Sequence, residues 1–204
     1  MNKNKEFIFK PDTHKYFYDG IRRRSVTEIL RQEGYSNFDF VNPLVMDRTQ
    51  KFGNAVHRVC ELDDLHNLDM SSVSVPLLPY FEGWRKYKAD YKVEIIETEL
   101  RMYSTKWDFC GTLDRVVKEN GIITLIDIKS GTSITRAQEL QTAFYKVLYE
   151  ENFPKSKIKD RCVIQLKDDG TYNRIAHNNK RDEQIAISLA VVNQDKAQYK
   201  LIKG

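Results

Sequence analysis

Residues 113–131 read LDRVVKENGIITLIDIKSG, and the organisation of the chain turns on how this stretch pairs with itself. The run Ile122–Ile128 is apolar and β-branched, the composition of a buried strand. Side chains alternate between the faces of a strand, so Asp127 and Lys129 project with Ile123 and Leu125. Ile122, Thr124, Ile126 and Ile128 line the opposite side. The preceding Asn120-Gly121 is a type I′ hairpin signal between two β-rich runs. A two-residue turn there pairs Glu119 with Ile122 and, counting outward, places Asp114 opposite Asp127 on one face. A four-residue loop would keep that face; a three-residue loop would break the pairing.

Two carboxylates about 5 Å apart repel by roughly 3 kcal/mol at an effective dielectric of 20. Lys129 offsets part of this repulsion, and a hard divalent cation such as Mg²⁺ or Mn²⁺ offsets more. Cation, carboxylates and lysine together suit phosphodiester hydrolysis, in which the metal polarises the phosphate and acidifies a water. The bland alternative is an ordinary ion pair between Asp127 and Lys129 in a structural α/β protein, since structural ion pairs also perturb charged groups.

The chain has 204 residues, 41% hydrophobic and 11% aromatic, enough for a substantial core. A single domain over 1–204 is expected, with an N-terminal hairpin and helix (1–47) followed by a helical lid and catalytic core (48–204). The net charge of +4 permits a polyanionic partner without requiring one. Basic residues cluster at Arg22-Arg23-Arg24, at Lys155, Lys157 and Lys159, and at Lys180-Arg181. Cys60, Cys110 and Cys162 form no C-x-x-C pair, so zinc and iron–sulfur sites have no support. The N-terminus lacks the apolar stretch of a signal peptide, and no apolar run approaches the roughly 18–20 residues of a membrane span. A cytoplasmic, reduced protein is the expectation. Rossmann and P-loop classes are excluded by the absence of a Gly-rich phosphate loop.

Along the chain, FIFKPDTHKYFYDG (7–20) reads as a β-hairpin. Ser25 with Glu28 forms a capping box that opens a helix, and Gly34 stops it. Pro43 falls in an expected loop before a helix running from about Arg48 to Leu65. On that helix Phe52, Ala55, Val56, Val59, Cys60 and Leu62 form an apolar arc, with Gly53, His57 and Glu61 in a row at its edge. A His in such a place is usually just half-buried, but a Gly one turn before it costs about 1 kcal/mol and makes room for a close approach. A strand over 91–103 is expected to put Ile96, Leu100 and Met102 on one face and Glu97, Glu99 and Arg101 on the other. RAQELQTAFYKVLYEEN (136–152) has helical periodicity, with Leu140, Phe144, Val147 and Leu148 as core stripe and Gln141 and Tyr145 at its margin. RCVIQL and TYNRIAH read as a strand pair, and a terminal helix starts near Arg181. The class is α/β, a mixed central sheet flanked by helices.

The order SVTEIL, GNAVHRVCE, FCGTLDRV, LIDIKSG and QTAFY resembles the PD-(D/E)XK nuclease superfamily. More narrowly it is similar to the RecB-like exonuclease branch, which includes the mitochondrial genome-maintenance exonuclease and related phage and CRISPR-associated nucleases. The resemblance implies a restriction-endonuclease-like core and a metal-dependent DNA nuclease, an exonuclease of replication, repair or recombination acting on DNA with a free end, alongside recombination or replication proteins. It implies His57, Asp114, Asp127 and the Ile128 carbonyl as Mg²⁺ or Mn²⁺ ligands and Lys129 as the catalytic lysine. Gln141 and Tyr145 match the Gln-x-x-x-Tyr helix that helps orient lysine and substrate. Glu99, in competition with Glu97, and Glu61 are accessory acidic candidates, while Arg22, Arg23, Arg24, Arg115 and Ser130 are candidate DNA contacts. Two features depart from the pattern: Leu113 stands where the motif has proline, and the four-cysteine iron–sulfur staple of part of the branch is missing. A non-catalytic DNA-binding or docking module on the same scaffold is the rival reading, and the intact His, Asp, Asp and Lys set argues against it.

Overall fold

The computed structural model describes residues 6–36 and 42–203, with side chains described as far as residue 194. An antiparallel sheet comes first, β1 (Phe7–Lys10), β2 (Lys15–Tyr18) and β3 (Ile21–Arg23), so the expected hairpin carries a third strand. Helix α1 (Val26–Gln32) follows, with the Ser25/Glu28 capping box formed. Helix α2 (Pro43–Asp64) begins five residues earlier than its apolar pattern suggests: Pro43 is the first helical residue and the Asn42 side chain accepts from the Leu44 N–H. Its exposed first turns carry no periodic signal. Then come α3 (Leu78–Asp90), β4 (Glu94–Ser104), β5 (Phe109–Glu119), β6 (Ile122–Lys129), α4 (Arg136–Asn152), β7 (Asp160–Leu166), β8 (Tyr172–Ala176) and α5 (Arg181–Lys203).

Strands β4 to β8 form one five-stranded sheet in sequence order. Every neighbouring pair is antiparallel except β6 and β7, which α4 connects as a crossover, so the sheet is mixed. Helices cover both faces. Val26, Ile29, Leu140, Phe144, Leu148, Ala186 and Ala190 pack with Leu125 and Val116 on the side of α1, α4 and α5. Val56, Cys60, Phe81, Trp84 and Tyr87 pack with Val117, Ile126 and Ile128 on the side of α2 and α3. The alternation expected for residues 122–128 therefore holds, and it fixes which helices Asp127 and Lys129 face.

The β5–β6 turn has both central residues in the left-handed region, Asn120 at φ 48° and Gly121 at φ 88°. Glu119 pairs with Ile122, and the same register runs to Arg115 opposite Ile126. Beyond that point the strands part, and the Asp114 carboxylate accepts the Ile128 N–H at 2.7 Å. Strand β4 departs from simple alternation. A register shift falls between Ile95 and Glu97, and Glu99 adopts φ 49°. Ile95 consequently joins the α2/α3 core, and Ile96, expected to share a face with Leu100 and Met102, is exposed while Met102 is buried.

Candidate active site

The end of the β5–β6 ladder, where the strands separate, is roofed by α2 and α4. His57 from α2 sits with its Nδ1 3.6 Å from Asp114 Oδ2 and 3.9 Å from Glu99 Oε1. Ligand-type atoms of His57, Glu99 and Asp114 all lie within 4.8 Å of one another. Glu99 rather than Glu97 is there because the β4–β5 register, with Thr98 opposite Arg115 and Leu100 opposite Leu113, sets Glu99 across from Asp114, whereas Glu97 lies opposite Val116. Burial pulls the His57 imidazole down, but Asp114 and Glu99 outweigh it, so the ring is held above its ordinary value.

Asp127 lies on the same face of the sheet but in a different partnership. Lys129 donates to Asp127 Oδ1 at 2.9 Å, and its Nζ is 2.8 Å from Oδ2. The ammonium thus lies within ion-pairing distance of both carboxylate oxygens and is aligned as a hydrogen-bond donor on Oδ1. Burial pushes the Asp127 carboxyl up and Asp114 adds to this, while Lys129 pulls the other way; the net shift is upward. Burial pulls Lys129 down, yet Asp127 and Asp114 overcome it, and the lysine stays firmly cationic. Glu99, an accessory candidate in the sequence, thus keeps company with His57 and Asp114, while Asp127, expected among the metal ligands, is paired with Lys129.

Above Asp127, Gln141 donates to the Tyr145 hydroxyl at 3.1 Å. Tyr145, expected at the margin of α4, is buried in the core. Its phenol is pushed well up by burial and by Asp127, so it remains a neutral hydroxyl. The ring has room only because residue 111 is glycine: a Cβ there would lie 2.7 Å from Tyr145 Cε1. Gly111→Ala is therefore expected to cost about 1–3 kcal/mol by overpacking and to drag the hydroxyl off Gln141. The denaturation midpoint checks this; a midpoint unchanged from wild type would show that the ring is free to shift.

A family model of the PD-(D/E)XK nuclease superfamily matches residues 71–201. The chain belongs to the PD-(D/E)XK nuclease superfamily. The matched span carries Glu99, Asp114, Asp127, Lys129, Gln141 and Tyr145, and leaves out the helix of His57. Among solved structures, a crystal structure of a candidate exonuclease from Eubacterium rectale is similar in fold. It has 9% identity and a TM-score of 0.50, and the likeness covers 71% of this chain and 65% of that one, just under two thirds. The crystal structure of SSO0001 aligns at 17% identity and a TM-score of 0.36 over 67% of this chain and 71% of its own, too low to support an argument about fold. No curated protein matches this chain. No helix among the described residues is long and apolar enough to cross a membrane.

The remaining sequence candidates in this PD-(D/E)XK chain fall outside the cluster. Glu61 accepts from Arg58 at 2.6 Å. Arg22 pairs with Glu28, Arg23 with Asp108 at 2.9 Å, and Arg24 with Asn193, so the triplet is engaged within the molecule. Arg115 is a correction: expected at the DNA surface, it is fully buried under α3, donating to Asp64, Glu99 and the Asp114 carbonyl. Ser130 Oγ lies 3.7 Å from where a Gly53 Cβ would stand, ordinary contact, so α2 does approach the loop after Lys129 but alanine would fit. Gln165, missed by the sequence reading, donates to the Gly131 carbonyl at 2.8 Å from the neighbouring strand and anchors that loop. Nothing local marks it, because its role exists only through the parallel pairing with Lys129. Asp64 was missed because its partner Arg115 lies 51 residues away.

Proposed function

We propose that this protein is a divalent-metal-dependent deoxyribonuclease of the RecB-like branch, an exonuclease hydrolysing phosphodiester bonds at a DNA end. The observation that carries the metal dependence is the gathering of His57, Glu99 and Asp114, their ligand atoms within 4.8 Å of one another, beside the buried Asp127–Lys129 pair. Two carboxylates this close repel each other, and a divalent cation between them relieves the repulsion. Carboxylate oxygens with one imidazole suit Mg²⁺ or Mn²⁺. His57, Glu99, Asp114 and Asp127 would hold the ion, which supplies polarisation of the phosphate and a more acidic water.

The chain's own groups do the rest. Lys129, fixed on Asp127 Oδ1 and held cationic, presents its ammonium to the charge that develops on the phosphate oxygens. Asp114 keeps its orientation through the Ile128 N–H. The Gln141–Tyr145 pair offers neutral donors above Asp127 for a phosphate or a water. DNA polyanion and a net charge of +4 are compatible, though not diagnostic.

The test is hydrolysis of end-labelled linear DNA, single- and double-stranded, beside a closed circle, with Mg²⁺, Mn²⁺ or chelator. Loss of ends with metal, none in chelator and an intact circle are expected. Hydrolysis that survives chelation would refute the metal site, and cutting of the circle would refute exonuclease action.

A further inference from the structure

The interior of the α2/α3 side holds a charged cluster that the chemistry above does not use. Asp64, at the end of α2, has a fully buried carboxylate that accepts from Arg115 Nε at 2.7 Å, from Trp84 Nε1 at 3.0 Å and from Lys88 Nζ at 2.7 Å. Arg115 is also wholly buried, with its guanidinium over the Trp84 ring. From that anchor Arg115 Nη1 reaches forward, donating to Glu99 Oε1 at 3.0 Å and to the Asp114 carbonyl at 2.6 Å. One side chain therefore grips both acidic members of the His57 cluster, one by its carboxylate and one by its backbone.

Stability does not explain this arrangement. Buried ion pairs are commonly no better than well-packed apolar residues, and here Arg115 Nη2 is left buried with no partner. The residue that Arg115 grips is itself strained, since Glu99 occupies the left-handed region, which costs a non-glycine residue on the order of 1 kcal/mol. Two unfavourable features meeting on one carboxylate need a return elsewhere, and the metal cluster is where that carboxylate points.

We infer that Arg115, anchored by Asp64, is a positioning residue that holds Glu99 and Asp114 in the geometry of a divalent-cation site. The inference rests on the metal-site reading given above. Partners behind a ligand commonly change metal affinity by about 10–100-fold when removed. Arg115→Lys is the informative change, because it keeps a positive charge in the interior but loses the fork that spans Asp64, Glu99 and the Asp114 carbonyl. Any change in affinity then reflects orientation rather than net charge.

The experiment is Mn²⁺ binding by calorimetry, without DNA, for wild type, Arg115→Lys, Glu99→Gln and the double variant. Asp64→Asn serves as a second probe, releasing only the rear anchor while an amide still accepts from Trp84. Each single substitution is expected to weaken Mn²⁺ about tenfold or more, and the double variant to be weaker than Glu99→Gln alone through Asp114, yet by less than the product of the two single effects. Rescue belongs to the same logic: Arg115→Lys should recover none of the affinity lost in Glu99→Gln. Wild-type affinity in Arg115→Lys or Asp64→Asn, or effects that simply multiply in the double variant, would overturn the inference. So would failure of both Arg115→Lys and Asp64→Asn to fold, which would make the cluster a structural one. Because no DNA is present, a wild type that binds Mn²⁺ but cuts nothing leaves this inference standing while the nuclease reading fails. A wild type that binds no Mn²⁺ overturns both.

Discussion

Lys129→Met should lower turnover on DNA by about 10³-fold while leaving Mn²⁺ affinity unchanged or slightly raised. The size follows from removing one preorganised donor aimed at developing charge, which costs roughly 10²–10³-fold in turnover. The direction for the metal follows from Coulomb's law, since the substitution deletes a positive charge next to a site for another. Lys129 is held cationic by Asp127 and Asp114 against its burial, which suits the proposed donor role rather than that of a base. Methionine keeps the apolar stem of the lysine side chain. Single-turnover kinetics together with calorimetry separate chemistry from binding. Turnover within a few-fold of wild type would reduce Lys129 to a counter-ion of Asp127.

Asp127→Asn should abolish most turnover yet leave the metal-free protein at least as stable as wild type. Its folded pKa is raised, so the folded state binds more protons than the unfolded chain between the ordinary carboxylate value and the raised one. Stability of the metal-free wild type therefore falls as pH rises through that window, and above it the ionised carboxylate is a net cost. Asparagine removes that cost while its side-chain oxygen still accepts from Lys129. The variant should also lose the stabilisation that metal confers, about 2.7 kcal/mol at a hundredfold excess over Kd. Thermal unfolding in chelator and in Mn²⁺, from acid to neutral pH, reads both effects. A variant that melts far below wild type in chelator, beside a wild type indifferent to metal, would mean that Asp127 holds the fold together and is no ligand.

Much of the scaffold was legible because its signals are local. The Asn120-Gly121 turn, the β-branched run after it, the Ser25/Glu28 box and the 3.6-residue period of α4 each involve residues within a few positions of one another. The turn alone was enough to bring Asp114 to the end of the strand bearing Asp127, because hairpin register is set by the turn type. Lys129, Gln141 and Tyr145 followed from the same strand face and the same helix face.

What misled were interruptions of periodicity and partnerships between distant segments. Ile96 and Glu99 were assigned faces by strict alternation, but the register shift and the left-handed Glu99 break it, and no turn residue in ETEL announces either. Arg115, named among the candidate DNA contacts, is buried instead, and its counter-charge is Asp64, 51 residues away.

The sequence by itself determined the strands, the hairpin register and the set of charged side chains that reach one end of the sheet, because these depend on backbone geometry and period. Only the tertiary structure decided how those charges pair. Placing α2 and α3 on one face put Asp64 beneath Arg115, whose other end holds Glu99 beside His57 and Asp114, while Asp127 stayed with Lys129. Inside a low-dielectric interior each charge takes the partner nearest in space, and that partner is chosen by the packing of helices whose separation along the chain carries no trace of it.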